Sequence, residues 1–411
     1  MNKKIVFKVP EFPHLSETFI TAQIVTAINL GYDIQIVTRK LIEINERYSL
    51  IEEYNLLDKI IIEDYKIPFN KLVRILKWLQ ILFFNLKEIS FILKYYKEQS
   101  RFNLTWLFEW SFYNGFNDAK IFHVQYGTNS SPLPILKKAG FKPALIVTFH
   151  GHDAFFPISG YIQNYGYYDN LFKYGDLITA NTPYLGQKLL ELGCPSEKLI
   201  LIPVSVNTDF FYSYKGDKQA QDQFKLITIG RLDKMKGQIF CIEAVNILVK
   251  KGVNVSLTII GEGVERKSLE NLIKAYQLED CVFLKGSKSQ YDIRQELWKH
   301  DVYLLTGQAT TNGLRETQGL ATLEAQACGL PVIVFDSGGI KYTLKDKFSG
   351  FLCDEFDVEA VVTNVIKFIE TPMLLKEMSN EAVIFVNENF SQKIIDQKWE
   401  MIYKILFNEP K

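Results

Sequence analysis

The sequence predicts an α/β fold made of two doubly wound, Rossmann-like parallel sheets. Two observations carry this prediction: short β-branched runs alternate with segments of helical length along the whole chain, and a polar stretch near the middle interrupts the alternation. Strands that alternate with helices form parallel sheets, because each crossover helix returns the chain to the same end of the sheet. A length of 411 residues is also typical of two domains.

The first half of the chain contains six predicted strands. They are Lys4–Val9, Asp33–Thr38, Ile121–Val124, Ala144–Phe149, Asp176–Ala180 and Leu199–Ile202. Segments of helical period lie between several of them, such as Glu17–Leu30 and Pro183–Leu192. Gly31 and Gly193 follow these two helices, where a helix end favours a residue of left-handed conformation.

The polar stretch Tyr212–Gln223 is the predicted linker, after which the alternation restarts. Five further strands are predicted: Phe224–Ile229, Val253–Ile260, Cys281–Leu284, Val302–Leu305 and Val332–Phe335. We therefore predict an N-terminal domain over residues 1–212 and a C-terminal domain over residues 213–388. Residues 389–411 form a last helix, which we expect to cross back to the N-terminal domain. Such sheets bind ligands at the carboxyl ends of their strands, so the expected site is a cleft between the domains.

The charge and cysteine content argue against several classes of protein. Lys and Arg together number 47, as do Asp and Glu, and this neutral balance gives no reason to expect a nucleic-acid partner. The five cysteines are scattered and never spaced as C-x-x-C, which argues against a disulfide framework or a zinc knuckle. Neither a signal peptide nor a membrane-spanning run is recognisable, so we expect a cytoplasmic protein.

One segment departs from the neutral balance. Residues 66–101 carry eight Lys and Arg against two Glu, interleaved with aromatic side chains. A basic helix with aromatic residues is typical of an interfacial membrane anchor, which would hold the protein peripherally on the inner face of the cell membrane. An ordinary amphipathic helix packed on the sheet explains the same pattern, and we favour that interpretation.

A pair of cations follows the predicted strand Phe224–Ile229. Arg231 and Lys236 lie in a short turn after Gly230, at the carboxyl end of that strand. Two such cations suit a diphosphate, because an arginine can bind two oxygens at once and a lysine supplies a mobile point charge. The alternative is two solvated surface charges.

Two glutamates flank the start of a predicted helix. The helix begins near Gly319, so that Glu316 lies in the loop before it and Glu324 on its second turn. The free N–H groups of the first turn, near Leu320 and Ala321, form an anion site. Carboxylates on either side of a bound phosphate could accept hydrogen bonds from the sugar and the ribose of a nucleotide-sugar. The alternative is that one glutamate only complements the helix dipole.

The segment His150-Gly151-His152-Asp153 follows the predicted strand Ala144–Phe149. Histidines at positions i and i+2 of a loop are not a usual spacing for metal ligands, and neither H-x-x-H nor D-x-D accompanies them. We therefore expect no metal and favour a histidine that faces the substrate.

These three signals, in this order, resemble glycosyltransferase family 4, the group 1 retaining transferases of the GT-B fold. Glu316 and Glu324 fit the E-x7-E element of the family, and Gly230-Arg231 with Lys236-Gly237 fits its G-R…K-G element. The run VFLKG that ends at Gly286 resembles the strand before the base-binding loop. The first domain also resembles, through the segments PHLSETFI and HGHD, a branch that builds bacterial exopolysaccharides of the colanic-acid type.

The resemblance implies roles for the donor-side residues. Arg231 and Lys236 would hold the donor diphosphate, with help from the backbone that follows Gly319 at Leu320 and Ala321. Catalysis would depend mainly on this fixed positive charge, since charge builds on the departing phosphate. No metal or other cofactor is implied.

The remaining roles concern the sugar and the acceptor. Glu316 would contact hydroxyls of the donor sugar and Glu324 the ribose, while Gly286 would lie near the base. His150 would approach the transferred sugar, and Ser16 would lie in a loop that approaches phosphate or acceptor.

The expected activity is transfer of a sugar from a nucleotide-sugar donor to a saccharide acceptor, with retention of anomeric configuration. By resemblance the acceptor is lipid-linked or a precursor of a surface polysaccharide. Two alternatives stay open: a sugar-nucleotide epimerase of the same fold, and a non-catalytic sugar-binding or scaffold subunit. The epimerase would convert the donor without an acceptor, whereas a scaffold would more often have lost Glu316 or Lys236.

Overall fold

The computed structural model describes residues 3–13, 18–42, 49–99, 103–214, 222–311 and 313–408. Ser16, Arg101 and most of the predicted linker lie outside these residues. The chain divides into two compact units. The first comprises residues 1–180, 186–201 and 396–411, and the second comprises residues 181–185 and 202–395. The chain first passes from the first unit to the second after residue 180, which is earlier than the predicted domain boundary at residue 212.

The first unit is built on a parallel sheet of seven strands in the order β3-β2-β1-β4-β5-β6-β7. The strands are β1 Lys4–Phe12, β2 Asp33–Leu41, β3 Ile60–Ile62, β4 Ile121–Gln125, β5 Ala144–Phe149, β6 Leu177–Ala180 and β7 Leu199–Leu201. In the central register, Ile5 of β1 pairs with Ile34 of β2 and with Ile121 of β4. All six predicted strands are present. The strand β3 was missed because three residues are too few to show a period.

Helices connect these strands, as the alternating pattern predicts. They are α1 Thr18–Asn29, α2 Ser49–Glu53, α3 Lys71–Phe84, α4 Ile89–Lys97, α5 Trp106–Asn114, α6 Leu133–Ala139, α7 Asp169–Tyr174 and α8 Pro183–Glu191. The strand β4 is buried along its whole length, including the polar residues His123 and Gln125.

The basic segment over residues 66–101 contains two helices rather than one. The first, α3, is capped by Asn70, whose side chain accepts the N–H groups of Leu72 and Val73. The second, α4, packs inward through the buried residues Phe91 and Ile92. Within α3, all of whose residues the structure describes, none is fully buried. The expectation of an ordinary packed helix therefore holds for α4, whereas α3 packs through one face and carries exposed apolar residues on the opposite face.

The second unit is built on a parallel sheet of six strands in the order β10-β9-β8-β11-β12-β13. The strands are β8 Phe224–Ile229, β9 Val255–Ile260, β10 Val282–Leu284, β11 Val302–Leu305, β12 Val332–Phe335 and β13 Gly350–Cys353. The sequence analysis missed β13, which begins at a glycine. A Cβ on Gly350 would lie 2.2 Å from the carbonyl oxygen of Val332, so close packing on β12 requires this residue.

The helices that cover the second sheet complete the fold. They are α9 Gln238–Lys250, α10 Arg266–Ala275, α11 Gln290–Trp298, α12 Leu320–Ala327, α13 Val358–Glu370 and α14 Pro372–Asn389. A last helix, α15, spans Gln392–Asn408, and its residues from Asp396 onward belong to the first unit. There the Tyr403 hydroxyl lies 3.1 Å from Nδ1 of His123, a buried residue of β4.

The two parallel α/β sheets confirm the predicted fold class. Across the described parts of the chain, every helix is too short or too polar to traverse a bilayer.

Candidate functional site

The order of strands in the second sheet reverses between β8 and β11. From β8 the chain moves outward through β9 and β10, then returns to β11 and continues outward on the other side through β12 and β13. The loops that follow β8 and β11 therefore diverge and leave a crevice at the carboxyl end of the sheet. The predicted residues Arg231 and Lys236 lie on the first loop, and Glu316 and Gly319 lie on the second.

The loop after β8 is shaped by an aspartate and a glycine. The Asp233 carboxylate accepts the N–H of Lys236 at 3.2 Å and so closes a single 3₁₀ turn. Gly237 then adopts a left-handed φ of 66°, and a Cβ there would lie 1.8 Å from the carbonyl oxygen of Thr306. Only glycine allows this approach, which brings the loop against the end of β11.

Lys236 and Glu316 form a charge-assisted hydrogen bond between the two loops, from Nζ to Oε2. Their side chains are 19% and 15% exposed, so the pair is largely shielded yet reachable from solvent. Burial alone would raise the pKa of Glu316. The charge of Lys236 and the N–H groups of Gly319 and Gln318 outweigh this effect, and the pKa of the carboxyl lies below its usual value.

Paired glycines hold the backbone of Glu316 in place. The N–H of Gly339 donates to the carbonyl oxygen of Glu316 at 2.7 Å. A Cβ on Gly338 would lie 2.5 Å from that oxygen, and one on Gly339 would lie 1.8 Å from the carbonyl oxygen of Thr317. The two glycines that follow β12 are therefore required for the loop that carries the glutamate to pack.

A second ion pair braces the same loop. The Arg315 guanidinium bonds to the Glu355 carboxylate and, at 2.9 Å, to the Ser337 hydroxyl. Glu355 also accepts the N–H of Ala309 at 3.0 Å. The sequence analysis missed Arg315 and Glu355, and no local signal identifies them because they are 40 residues apart.

The helix α12 begins at Leu320, four residues after Glu316. Gly319 has a left-handed φ of 72° and, as glycine, offers no side chain to cap the helix. The N–H groups of a first turn have no partners within the helix, so those of Leu320 and Ala321 are suited to an anion. Glu324 lies on the second turn, where burial raises the pKa of its carboxyl to about 7.

Arg231 is placed differently from Lys236. Its side chain is 72% exposed, and its Nε donates to Asp233 at 2.8 Å. The structure therefore brings Lys236 to Glu316 but pairs Arg231 with the aspartate of its own turn. Gly230, just before Arg231, packs closely on the next loop, since a Cβ on Gly261 would lie 2.0 Å from the Gly230 carbonyl oxygen.

Gly286 belongs to the same edge of the second sheet. Its carbonyl oxygen accepts the N–H of Gly261 at 2.9 Å, and its φ is 71°. The loop after β9, which carries Gly261, and the segment ending at Gly286 therefore form one continuous rim beside the loop after β8.

The first unit holds His150 in a defined orientation. Its Nε2 lies 2.9 Å from Oε1 of Gln125, whose own amide N–H donates to Gln23 at 2.8 Å. This network assigns the proton to Nε2. Burial lowers the pKa of His150 to about 4, and the nearby His152 adds to this effect although Asp153 opposes it. The ring is therefore neutral at physiological pH.

Asp153 builds the loop that carries His150. Its two oxygens accept the N–H groups of Gly127 at 2.8 Å, His150 at 3.1 Å and Gly151 at 2.9 Å. The aspartate therefore has a structural task that the sequence analysis did not foresee. Three or more His, Cys, Asp or Glu side chains do not cluster as metal ligands anywhere in the described ranges.

Residues 214–383 match the family described as "Glycosyl transferases group 1". Residues 214–383 of the chain are a group 1 glycosyltransferase domain. The family resemblance that the motifs indicate is thereby confirmed. The two parallel sheets are those of the GT-B fold, and the enzyme is a glycosyltransferase.

Two curated relatives cover most of this glycosyltransferase. It is 29% identical to the amylovoran biosynthesis glycosyltransferase AmsK of Erwinia amylovora, with 89% of this chain and 90% of the relative aligned. It is 27% identical to the putative colanic acid biosynthesis glycosyltransferase WcaL of Escherichia coli, with 98% and 100% aligned.

Solved structures support the same fold for the glycosyltransferase. A glycosyltransferase from Rickettsia africae superposes with a TM-score of 0.71 at 19% identity, covering 100% of each chain. Anabaena HepE in complex with UDP and glucose superposes with a TM-score of 0.69 at 16% identity, covering 98% of this chain and 99% of that one.

Proposed function

We propose that this glycosyltransferase moves a sugar from a nucleoside-diphosphate sugar to a saccharide acceptor with retention of anomeric configuration. The observation that carries the proposal is the Lys236–Glu316 pair at the switch point of the second sheet, directly before the open start of α12. A cation and unpaired N–H groups suit a diphosphate, and carboxylates suit the hydroxyls on either side of it.

The donor chemistry follows from these groups. The bond between the anomeric carbon and the phosphate oxygen breaks, and its electron pair stays on the departing nucleoside diphosphate. Lys236 and the first-turn N–H groups of α12 would stabilise that charge, because they are in place before the reaction. Glu316 would hold Lys236 and accept hydrogen bonds from the donor sugar.

The acceptor supplies the oxygen of the new glycosidic bond and releases a proton. Its hydroxyl oxygen would form the new bond on the face that the phosphate leaves, and its proton would pass to a phosphate oxygen. The configuration of the anomeric carbon is thereby retained. The roles of Arg231 at the diphosphate, of Gly286 at the base and of Glu324 at the ribose stay predictions, as does that of His150 at the transferred sugar.

The acceptor class and the donor nucleotide are supported by the relatives. The names of AmsK and WcaL refer to the biosynthesis of amylovoran and of colanic acid. We therefore infer an oligosaccharide acceptor in exopolysaccharide biosynthesis, carried on a lipid. Because HepE binds UDP and glucose, UDP-sugars are the first donors to test.

The test uses the full-length enzyme and a panel of nucleotide-sugars with and without an oligosaccharide acceptor. NMR of the new glycosidic linkage should show the anomeric configuration of the donor, and an inverted product would overturn the retaining assignment. Conversion of the donor to an epimer without acceptor would instead identify an epimerase. A nucleotide at a hundred times its Kd should also stabilise the protein by about 2.7 kcal/mol, and no thermal shift with any nucleotide would favour a scaffold.

A further inference from the structure

The helix α3 packs on its own unit through one face. The partly buried residues of α3 include Arg74, Trp78, Ile81 and Leu82, whose spacing places them on one side of a helix. Trp78 meets Trp106 of α5 edge-on, with ring centroids 6.0 Å apart. This face therefore accounts for the packing of α3.

The opposite face of α3 is apolar and exposed. Leu72, Leu76, Leu79 and Phe83 recur at positions i, i+4, i+7 and i+11, which is the stripe of an amphipathic helix. Their exposed fractions are 73%, 67%, 53% and 69%. Four large apolar side chains in one stripe are unusual on a free protein surface, where apolar residues are normally scattered.

The helix α4 carries an exposed apolar row of its own. Ile89, Leu93 and Tyr96 recur at positions i, i+4 and i+7 and are 40%, 52% and 40% exposed, whereas Phe91 and Ile92 face inward. We refer to seven residues together as the α3–α4 apolar face: Leu72, Leu76, Leu79, Phe83, Ile89, Leu93 and Tyr96.

The charges around the α3–α4 apolar face are predominantly positive. Five exposed lysines lie along the two helices and the turn between them: Lys71, Lys77, Lys87, Lys94 and Lys97. Of the two glutamates over residues 66–101, Glu88 is partly buried and Glu98 is paired with Lys138 at 2.6 Å. A partner for this surface must therefore accept both apolar side chains and several cations.

We propose that the α3–α4 apolar face binds the surface of an anionic lipid bilayer. Leucine and phenylalanine side chains would enter the boundary between headgroups and acyl chains, and the lysines would reach the lipid phosphates. Charge complementarity selects this occupant, because anionic lipids attract each lysine near the surface. A second copy of the chain would instead bring two sets of lysines together.

The proposal goes beyond the transfer reaction and does not depend on it. Binding to vesicles is measured without donor or acceptor, so the result stands whichever sugar the enzyme uses. The sequence alone favoured an ordinary packed helix for this segment. The structure shows which face of α3 packs, and therefore which apolar stripe is left exposed.

The experiment measures co-sedimentation of the full chain with lipid vesicles at about 0.1 M salt, where charges are screened beyond roughly 10 Å. One set contains phosphatidylcholine alone and the other contains about one third phosphatidylglycerol. We expect binding to the anionic vesicles at least tenfold tighter than to the neutral ones. The double variant Leu76→Ser/Leu79→Ser should lose at least tenfold in partitioning.

Matched variants distinguish the loss of the α3–α4 apolar face from the loss of exposed apolar or charged side chains elsewhere. Val264→Ser/Met373→Ser removes two apolar side chains that are 86% and 65% exposed in the second unit, and it should bind like the wild type. Lys71→Gln/Lys77→Gln should weaken binding to anionic vesicles about tenfold to thirtyfold, whereas Lys251→Gln should not. All these side chains are exposed, so thermal melts should show folded proteins.

Three outcomes would overturn the proposal. They are equal vesicle binding by Leu76→Ser/Leu79→Ser and the wild type, no wild-type binding to anionic vesicles, and equal affinity for neutral and anionic vesicles. Sedimentation equilibrium on the same proteins identifies the alternative occupant. A wild-type dimer that this variant dissociates, together with no vesicle binding, would assign the face to a second copy.

Discussion

Each unit brings one lysine and one glutamate together across its sheet, and the two pairs differ in what surrounds them. In the first unit, Lys8 of β1 lies 3.2 Å from Glu63, which follows β3, and their side chains are 0% and 2% exposed. In the second unit, Lys236 bonds to Glu316 between two loops, with side chains 19% and 15% exposed.

The other contacts of the Lys8–Glu63 pair all lie inside the first unit. The Lys8 ammonium also bonds to the Tyr113 hydroxyl at 2.7 Å and to the Ser131 carbonyl oxygen at 2.8 Å. Glu63 is shared with Arg39 at 3.0 Å. Burial lowers the pKa of Lys8 to about 8, although Glu63 opposes this effect. With its bonding capacity used inside the unit, this pair serves the fold.

The Lys236 pair is open to a ligand. It lies beside the first-turn N–H groups of α12, which have no partners within the helix, on loops whose glycines leave room for close approach. The comparison teaches that a lysine–glutamate contact does not by itself indicate function. Accessibility and neighbouring groups that still need partners distinguish a binding pair from a structural one.

The largest expected effect is on stability, in the first unit. Glu63→Gln removes the carboxylate charge and leaves the Lys8 ammonium buried without it, which should lower the free energy of unfolding by about 3–5 kcal/mol. Chemical denaturation measures this loss. A double-mutant cycle with Lys8→Met should show strong coupling, and additive effects would contradict a structural pair.

Substitution of Lys236 should lower the rate of sugar transfer more than the stability of the protein. Lys236→Ala removes a preorganised cation and should lower kcat about 10²–10³-fold, as the loss of one transition-state donor does. Steady-state kinetics with saturating donor measure the change. The thermal melt should move little by comparison with Glu63→Gln. Unaltered turnover would refute the role of Lys236.

A third test concerns what a lysine partner does to a carboxylate. Within the described parts of the chain, Glu316 has a lysine partner and Glu324 has none. Burial raises the pKa of Glu324 to about 7 from its ordinary 4.5. Between those values the folded state binds more protons at this site than the unfolded state. The stability contributed by Glu324 is therefore present below pH 4.5 and is lost as the pH rises through 7.

Glu324→Gln should remove this loss. Denaturation at about pH 5 and pH 8 should show a smaller decline in the variant than in the wild type. Glu316→Gln is the control, because its carboxyl has a lowered pKa and titrates below this window. Parallel pH profiles for Glu324→Gln and the wild type would contradict the assignment.

The smallest effect is expected at the exposed cation. Arg231→Ala removes a largely exposed ion pair with Asp233, so stability should change by less than about 0.5 kcal/mol. If Arg231 reaches the diphosphate, the Kd for UDP should rise about tenfold, or about 1.4 kcal/mol. Calorimetry measures this, with Lys267→Ala, whose side chain is 79% exposed, as control. An unchanged Kd would restrict the diphosphate contacts to Lys236 and α12.

Much of the candidate site could be predicted because its residues are close in sequence to strand ends. Gly230, Arg231 and Lys236 follow β8 directly, and Glu316 precedes α12 by a few residues. Local patterns of this kind follow from strand period and helix capping. The same patterns located most strands, since buried parallel strands are continuous apolar runs.

The remaining site residues had no local signal. The brace between Arg315 and Glu355, and the support of His150 by Gln125, join residues that are 40 and 25 positions apart. Such contacts depend on which strands become neighbours in the sheet. The short strand β3 carried too little apolar pattern for prediction.

By itself the amino-acid sequence determined the alternation of strands and helices, the neutral overall charge and the chemical types at the loop after β8 and before α12. These depend on local backbone preference and on short spacings. Only the tertiary structure decided that Lys8 is sealed inside while Lys236 stays reachable, that Arg231 pairs with Asp233, and that one apolar face of α3 packs while the other is exposed. Each of those outcomes depends on which surfaces meet in space, because burial and charge pairing are properties of neighbours that the chain brings together from a distance.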